Sequence, residues 1–281
     1  MVERAWTKKA LLLVVAAGAM GVVGSYQFLW SSIRPALVAN LSMDEQALGS
    51  VFTLFIICQT LSQFPAGWVR DRYGPRPPLA VGAVLLVAGY LGVGYASEPW
   101  HVFVAYVVGG IGAGAVYIVA INTPVKWFDD RQGLATGIVT MAYGGVSVLF
   151  IPYVRGGVSN AFTGTLSLLA VLAGVATLAA VLVLHDPSVD DGDRVEPSMA
   201  PSDAYGWRET VRTWQFWLLY LVLVVVNAVG LMIIGKAVSY AEQFGLAAVV
   251  VTATASVVAI ADSIGIVTFG ALSDRYDADA V

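Results

Sequence analysis

Gly67-Trp-Val-Arg-Asp71-Arg72-Tyr-Gly74-Pro-Arg76 and Gly270-Ala-Leu-Ser-Asp274-Arg275-Tyr276 share one pattern, G-x-x-x-D-R-Y. The first copy closes an apolar stretch near 46–68, and the second closes another near 247–271. Gly permits close approach of a neighbouring helix, and Asp pairs with a cation or caps a helix N-terminus. Arg holds the polar side of a membrane boundary. One copy could be chance. Two copies, each after an even-numbered apolar stretch, predict two related halves of six helices.

Working outward, a hydrocarbon core of about 30 Å needs about 20 apolar residues per helix. Eight segments qualify: 10–30, 46–68, 77–97, 101–124, 132–154, 162–184, 214–237 and 247–271. Strict apolar/polar alternation is absent, which argues against a β-barrel. The basic start from Arg4 to Lys9 followed by Ala10–Val23 has the form of a signal peptide, but the apolar run continues through Trp30 and further runs follow. It reads as the first span.

Composition agrees. The 281 residues are 58% hydrophobic and 12% charged, against about a quarter charged in soluble domains. One cysteine, Cys58, excludes an internal disulfide framework, and His101 and His185 lie too far apart for a metal-ligand cluster. There is no basic patch for nucleic acid, no H-E-x-x-H, no phosphate loop and no nucleophile–base pair, so an enzyme is not expected, nor any cofactor.

Orientation follows from the basic residues. Arg4, Lys8, Lys9, Arg70, Arg72, Arg76, Lys126, Arg131, Arg194, Arg208, Arg212 and Arg275 fall on one side; Arg34, Arg155 and Lys236 fall on the other. This places both termini in the cytoplasm, the parity that eight spans require. The long connector, with Asp186, Asp190, Asp191, Asp193, Glu196 and Asp203 among Pro and Ser, cannot bury a core and reads as a solvated cytoplasmic linker. The expected organisation is a six-helix bundle over 1–184, an acidic linker over 185–213, and two helices of a second, incomplete bundle over 214–281.

The repeated motif resembles that of the major facilitator superfamily, where it joins helices two and three and recurs between helices eight and nine. The stretch from Lys126 to Ile138 (KWFDDRQGLATGI) is similar to the four–five loop of the oxalate/formate antiporter group and its monocarboxylate-transporter relatives. Gln59-Thr-Leu-Ser-Gln63-Phe-Pro-Ala-Gly67, the run of Gly110, Gly112, Gly114 and Tyr117, and Phe216-Trp-Leu-Leu-Tyr220 fit as well. The resemblance implies an all-α membrane protein with the major facilitator fold, eight transmembrane helices of an expected twelve. It further implies secondary active transport of a small organic solute, a monocarboxylate or related anion, by alternating access in a cell membrane. A coupled proton or counter-anion would be the other cargo. With helices nine to twelve missing, residues 1–281 alone are expected not to transport. The alternative is a transport-inactive membrane partner or sensor derived from such a carrier.

Polar groups inside a bilayer are costly and face a cavity or another helix. Gln27, Trp30, Gln59, Tyr117, Tyr143, Asn227 and Lys236 are the candidate solute contacts, with Gln63 and Asn122 alongside them. Gln59, Tyr117 and Tyr143 resemble cavity-lining residues of the oxalate group. Lys236 also fits a side chain snorkelling to headgroups. Asp262 lies roughly 18 Å inside the bundle end marked by Asp274, at 1.5 Å per residue; it is either a proton-coupling site or a neutral structural acid. The helix-eight arginine that pairs with the carboxylate in the oxalate group aligns with Ile266, which cannot do so. Gly67, Asp71, Arg72, Gly74, Arg76, Gly270, Asp274 and Arg275 form the conformational motif.

Overall fold

In hydrocarbon every backbone N–H and C=O must find its partner within the segment, so long apolar stretches become helices. The computed structural model describes residues 2–128, 131–187, 207–245 and 248–274. Its regular elements, among the described residues, are α1 (Val2–Phe28), α2 (Trp30–Leu41), α3 (Glu45–Tyr73), α4 (Arg76–Gly94), α5 (Pro99–Val125), α6 (Gln132–Asn160), α7 (Phe162–Val183), the short α8 (Trp207–Thr210), α9 (Trp214–Gln243) and α10 (Ala248–Ser273). Trp6–Phe28 of α1, together with α3, α4, α5, α6 and α7, are long and apolar enough to cross a membrane. The two further expected spans are α9, with an apolar stretch at Trp214–Gly230, and α10. The chain is a multi-pass all-α membrane protein.

Helix ends are set by local chemistry. Asp44 caps α3 by accepting from the Ala47 N–H at 2.7 Å. Gly74, at φ 84°, turns the chain out of α3 while its N–H bonds Arg70 O at 2.8 Å, and Pro75 then leads directly into α4. His101 serves the start of α5, where its Nδ1 accepts from the Glu98 N–H at 3.2 Å. Several helices overrun the spans read from hydropathy, among them α3, which runs to Tyr73, and α9, which runs to Gln243. α1 and α2 abut at Leu29 and continue to Leu41 rather than ending near Trp30, and α6 runs through Pro152 to Asn160 rather than ending near 154. Hydropathy registers only the lipid-facing length; beyond it a helix needs no apolar side chains.

Two compact units emerge: Met1–Pro187 with Ala259–Val281, and Ser188–Val258. In the first, the glycine-rich α5 packs against α1, α3, α4 and α6, while α6 also lies along α1, and α7 covers α4 and α1. Its core is aromatic. The Tyr26 ring stands 4.7 Å from Tyr90, 5.0 Å from Tyr106 and 5.5 Å from Phe55, and its hydroxyl donates to Ala105 O at 3.0 Å. In the second unit, α9 presents exposed apolar residues such as Leu219, Leu221 and Val226, a surface suited to lipid.

Candidate functional site

A polar chain crosses the first unit, at the middle of α3 and α6 and the C-terminal end of α1. Gln59 Nε2 on α3 donates to the Tyr143 hydroxyl on α6 at 3.0 Å, and that hydroxyl donates to Gln27 Oε1 on α1. Tyr117 of α5 meets the Tyr143 ring edge-on at 5.6 Å, and Phe28 does so at 5.8 Å. Gln27 and Gln59 are buried, whereas Tyr117 and Tyr143 are half-buried. Two glycines make the approach possible. A Cβ on Gly24 would fall on the Tyr143 carbonyl, and one on Gly114 would fall on Ser62 Oγ and Gln59 O. Bare backbone on α1 and α5 therefore draws in the helices that carry Tyr143 and Gln59. Three polar groups held this way in apolar surroundings can orient a ligand's carboxylate or hydroxyl, with phenol rings as a wall.

The remaining candidates are placed differently. Trp30 is buried against Phe52, stacked at 5.8 Å, and Tyr106, edge-on at 4.8 Å, so it joins the aromatic core. Gln63 Nε2 bonds back to Gln59 O at 3.4 Å, and Asn122 is exposed. Asn227, in the second unit, donates to Leu223 O of its own helix at 2.8 Å. The side chains of Lys236 and Asp262 lie outside the described residues, as does Arg275.

The first motif copy behaves otherwise than expected at two positions. At Gly67 an added Cβ would meet Ile118 Cγ1 at 3.6 Å, ordinary contact, so among the described residues this glycine marks no close helix approach. The buried cation is Arg70, 3% exposed, although its place beside Asp71 and Arg72 suggests a boundary charge. Its guanidinium donates to Asp71 Oδ1 at 3.1 Å, Thr123 Oγ1 at 3.4 Å and Asp186 Oδ1 at 3.2 Å. Lys126 Nζ holds the other Asp186 oxygen at 3.1 Å, and Trp127 Nε1 donates to His185 O at 3.0 Å. Asp186 is thus fastened to Arg70 of α3 and to Lys126 at the C-terminal end of α5. The signal was available: Leu48, Val51, Phe55, Gln59, Ser62, Ala66 and Arg70 form one buried stripe at helical spacing.

In the second copy, Asp274 accepts from the Gly133 N–H at 2.8 Å and the Leu134 N–H at 2.7 Å. These belong to the first turn of α6, whose own N-cap residue, Arg131, gives no side-chain bond. A carboxylate from α10 therefore completes the α6 terminus and complements its dipole. About three turns back along α10, Ser263 Oγ donates to Met141 O of α6 at 3.2 Å.

Comparison with known proteins bears on this arrangement. The family model described as Major Facilitator Superfamily matches residues 15–280. The oxalate:formate antiporter of Oxalobacter formigenes is 30% identical over 87% of this chain and 58% of its own length. An uncharacterized 38 kDa protein of Thermoproteus tenax is 30% identical over 74% of the chain and 53% of its own length. Human monocarboxylate transporter 11 is 27% identical over 69% of the chain and 42% of its own length. The chain thus spans roughly half the length of these relatives.

Proposed function

The chain belongs to the major facilitator superfamily, and from that premise we propose that it serves secondary active transport of a small organic anion, a monocarboxylate or close relative, by alternating access. The observation that carries this reading is the Gln59–Tyr143–Gln27 chain across α3, α6 and α1 beside Tyr117. Neutral amides and a phenol suit a singly charged carboxylate that also needs a counter-charge. Ile266 supplies none, and Lys236 is the proposed counter-charge. Asp262 is the proposed proton-coupling residue, and a counter-anion is the other exchange partner. The similarity to an antiporter supports exchange.

In this reading both termini and the 185–213 segment face the cytoplasm of a cell membrane, and the two motif copies govern conformation. Asp274 on the α6 terminus holds one arrangement and must let go for another. The test is uptake of labelled monocarboxylates by membrane vesicles from cells expressing the gene at its natural locus, against a deletion strain. Uptake above the deletion background that falls at least about tenfold in Tyr143→Phe supports the proposal. Ligand-dependent thermal stabilisation with no uptake would favour a membrane sensor or partner instead. Unchanged pH dependence in Asp262→Asn would remove that residue from coupling.

A further inference from the structure

α3 and α4 each pack along α5 but only sparingly on each other, which leaves a crevice of about 240 Å³ between them. Ala66 and Val69 of α3 and Pro78 and Val81 of α4 form its walls, and Ile111 and Ala115 of α5 form its floor. Val81 and Ile111 are exposed, so the crevice opens sideways to lipid. The two helices are joined by the turn from Tyr73 to Arg76. Arg72 follows Val69 by three residues and continues the lining stripe one turn further; Arg76 directly precedes the prolines of the wall. Both arginines are exposed, and among the described residues neither is in an ion pair, while the nearby Asp71 carboxylate is engaged by Arg70. The Arg72 guanidinium lies over the rings of Trp68 at 5.6 Å and Tyr73 at 5.8 Å. Exposed Trp and Tyr settle at the headgroup level of a bilayer, and they hold this cation there.

We propose that this crevice seats one acyl chain of an anionic glycerophospholipid whose phosphate is gripped by Arg72 and Arg76. The apolar lining fits a hydrocarbon chain, and two exposed cations that form no ion pair among the described residues favour a headgroup of net negative charge over a zwitterionic one. The site rests on the membrane setting alone and is independent of the solute carried.

Native mass spectrometry of the detergent-purified protein, with phosphatidylglycerol and phosphatidylcholine of matched chains at equal concentration, tests it. At about 1 kcal/mol per basic residue near an anionic headgroup, two arginines correspond to an excess of roughly ten- to thirtyfold of phosphatidylglycerol adducts. Arg72→Gln with Arg76→Gln brings the two lipids to parity; Arg72→Lys with Arg76→Lys keeps the preference. Val81→Trp, which fills the crevice from its exposed wall, lowers adducts of both lipids. Equal retention of the two lipids by the unaltered protein would overturn the proposal. So would a preference that survives the double Gln variant, or adducts indifferent to Val81→Trp, which would mean headgroup binding without the crevice. A second copy of the chain occupying the face in place of lipid, seen as a dimer that Val81→Trp abolishes, would also refute it.

Discussion

At the scale of single residues, one hydroxyl carries two bonds. Tyr143→Phe leaves Gln27 and Gln59, both buried, without their shared partner. Unpaired buried polar groups cost about 1–3 kcal/mol, so the variant is expected to melt several degrees lower in detergent. An unchanged melting temperature would show that the amides had found other partners. Arg70 offers a second case. Asp186→Ala removes a carboxylate shared by Arg70 and Lys126 and leaves the guanidinium with Asp71 and Thr123. Asp186 is one-third exposed, so solvent screens part of the loss, and about 1–2 kcal/mol is expected, less for Asp186→Asn. Urea or thermal unfolding of the purified variants measures it. Gln27, Gln59, Tyr117 and Tyr143 were legible as polar residues in apolar runs. Their partnership was not, because the hydrogen bonds join positions 84 and 116 residues apart. Arg70 is legible by periodicity, as the end of the buried stripe of α3, but its place among boundary arginines points to solvent.

At the scale of elements, contact between α1 and α6 depends on the absence of side chains. Gly24→Ala places a methyl on the Tyr143 carbonyl and forces the helices apart. Loss of folded protein, or a destabilisation of about 3 kcal/mol as for overpacked cores, is expected. Gly49 and Gly156 face open space, so alanine there gains up to about 1 kcal/mol from helix propensity. Parallel melts of the three variants check the contrast. The α6 terminus makes a different prediction. Asp274→Asn removes the charge while keeping one acceptor, and Asp274→Ala removes the cap, worth about 1 kcal/mol. Amide exchange at Gly133 and Leu134 is expected to quicken about fivefold in the alanine variant, and equal rates would refute the cap. Element identity was plain from hydropathy, since lipid leaves the backbone one solution. Element ends were not, because Leu41 and Asn160 end helices in stretches where hydropathy is silent.

At the scale of the whole molecule, the proposed orientation gives each end of the bundle a side. With Cys58→Ser as background, cysteine at Ser202 should react with an impermeant maleimide only in inside-out vesicles, and cysteine at the exposed Ser159 only in right-side-out ones. The reverse pattern would invert the topology. One feature of the first unit also limits how it can deform. Where α1 meets α6 through naked main chain at Gly24, there is no rotamer to flip and no slack to take up. Such a seam transmits displacement like a weld. Any widening that admits a passenger must therefore open along other flanks of these two rods, which travel as one stiff beam.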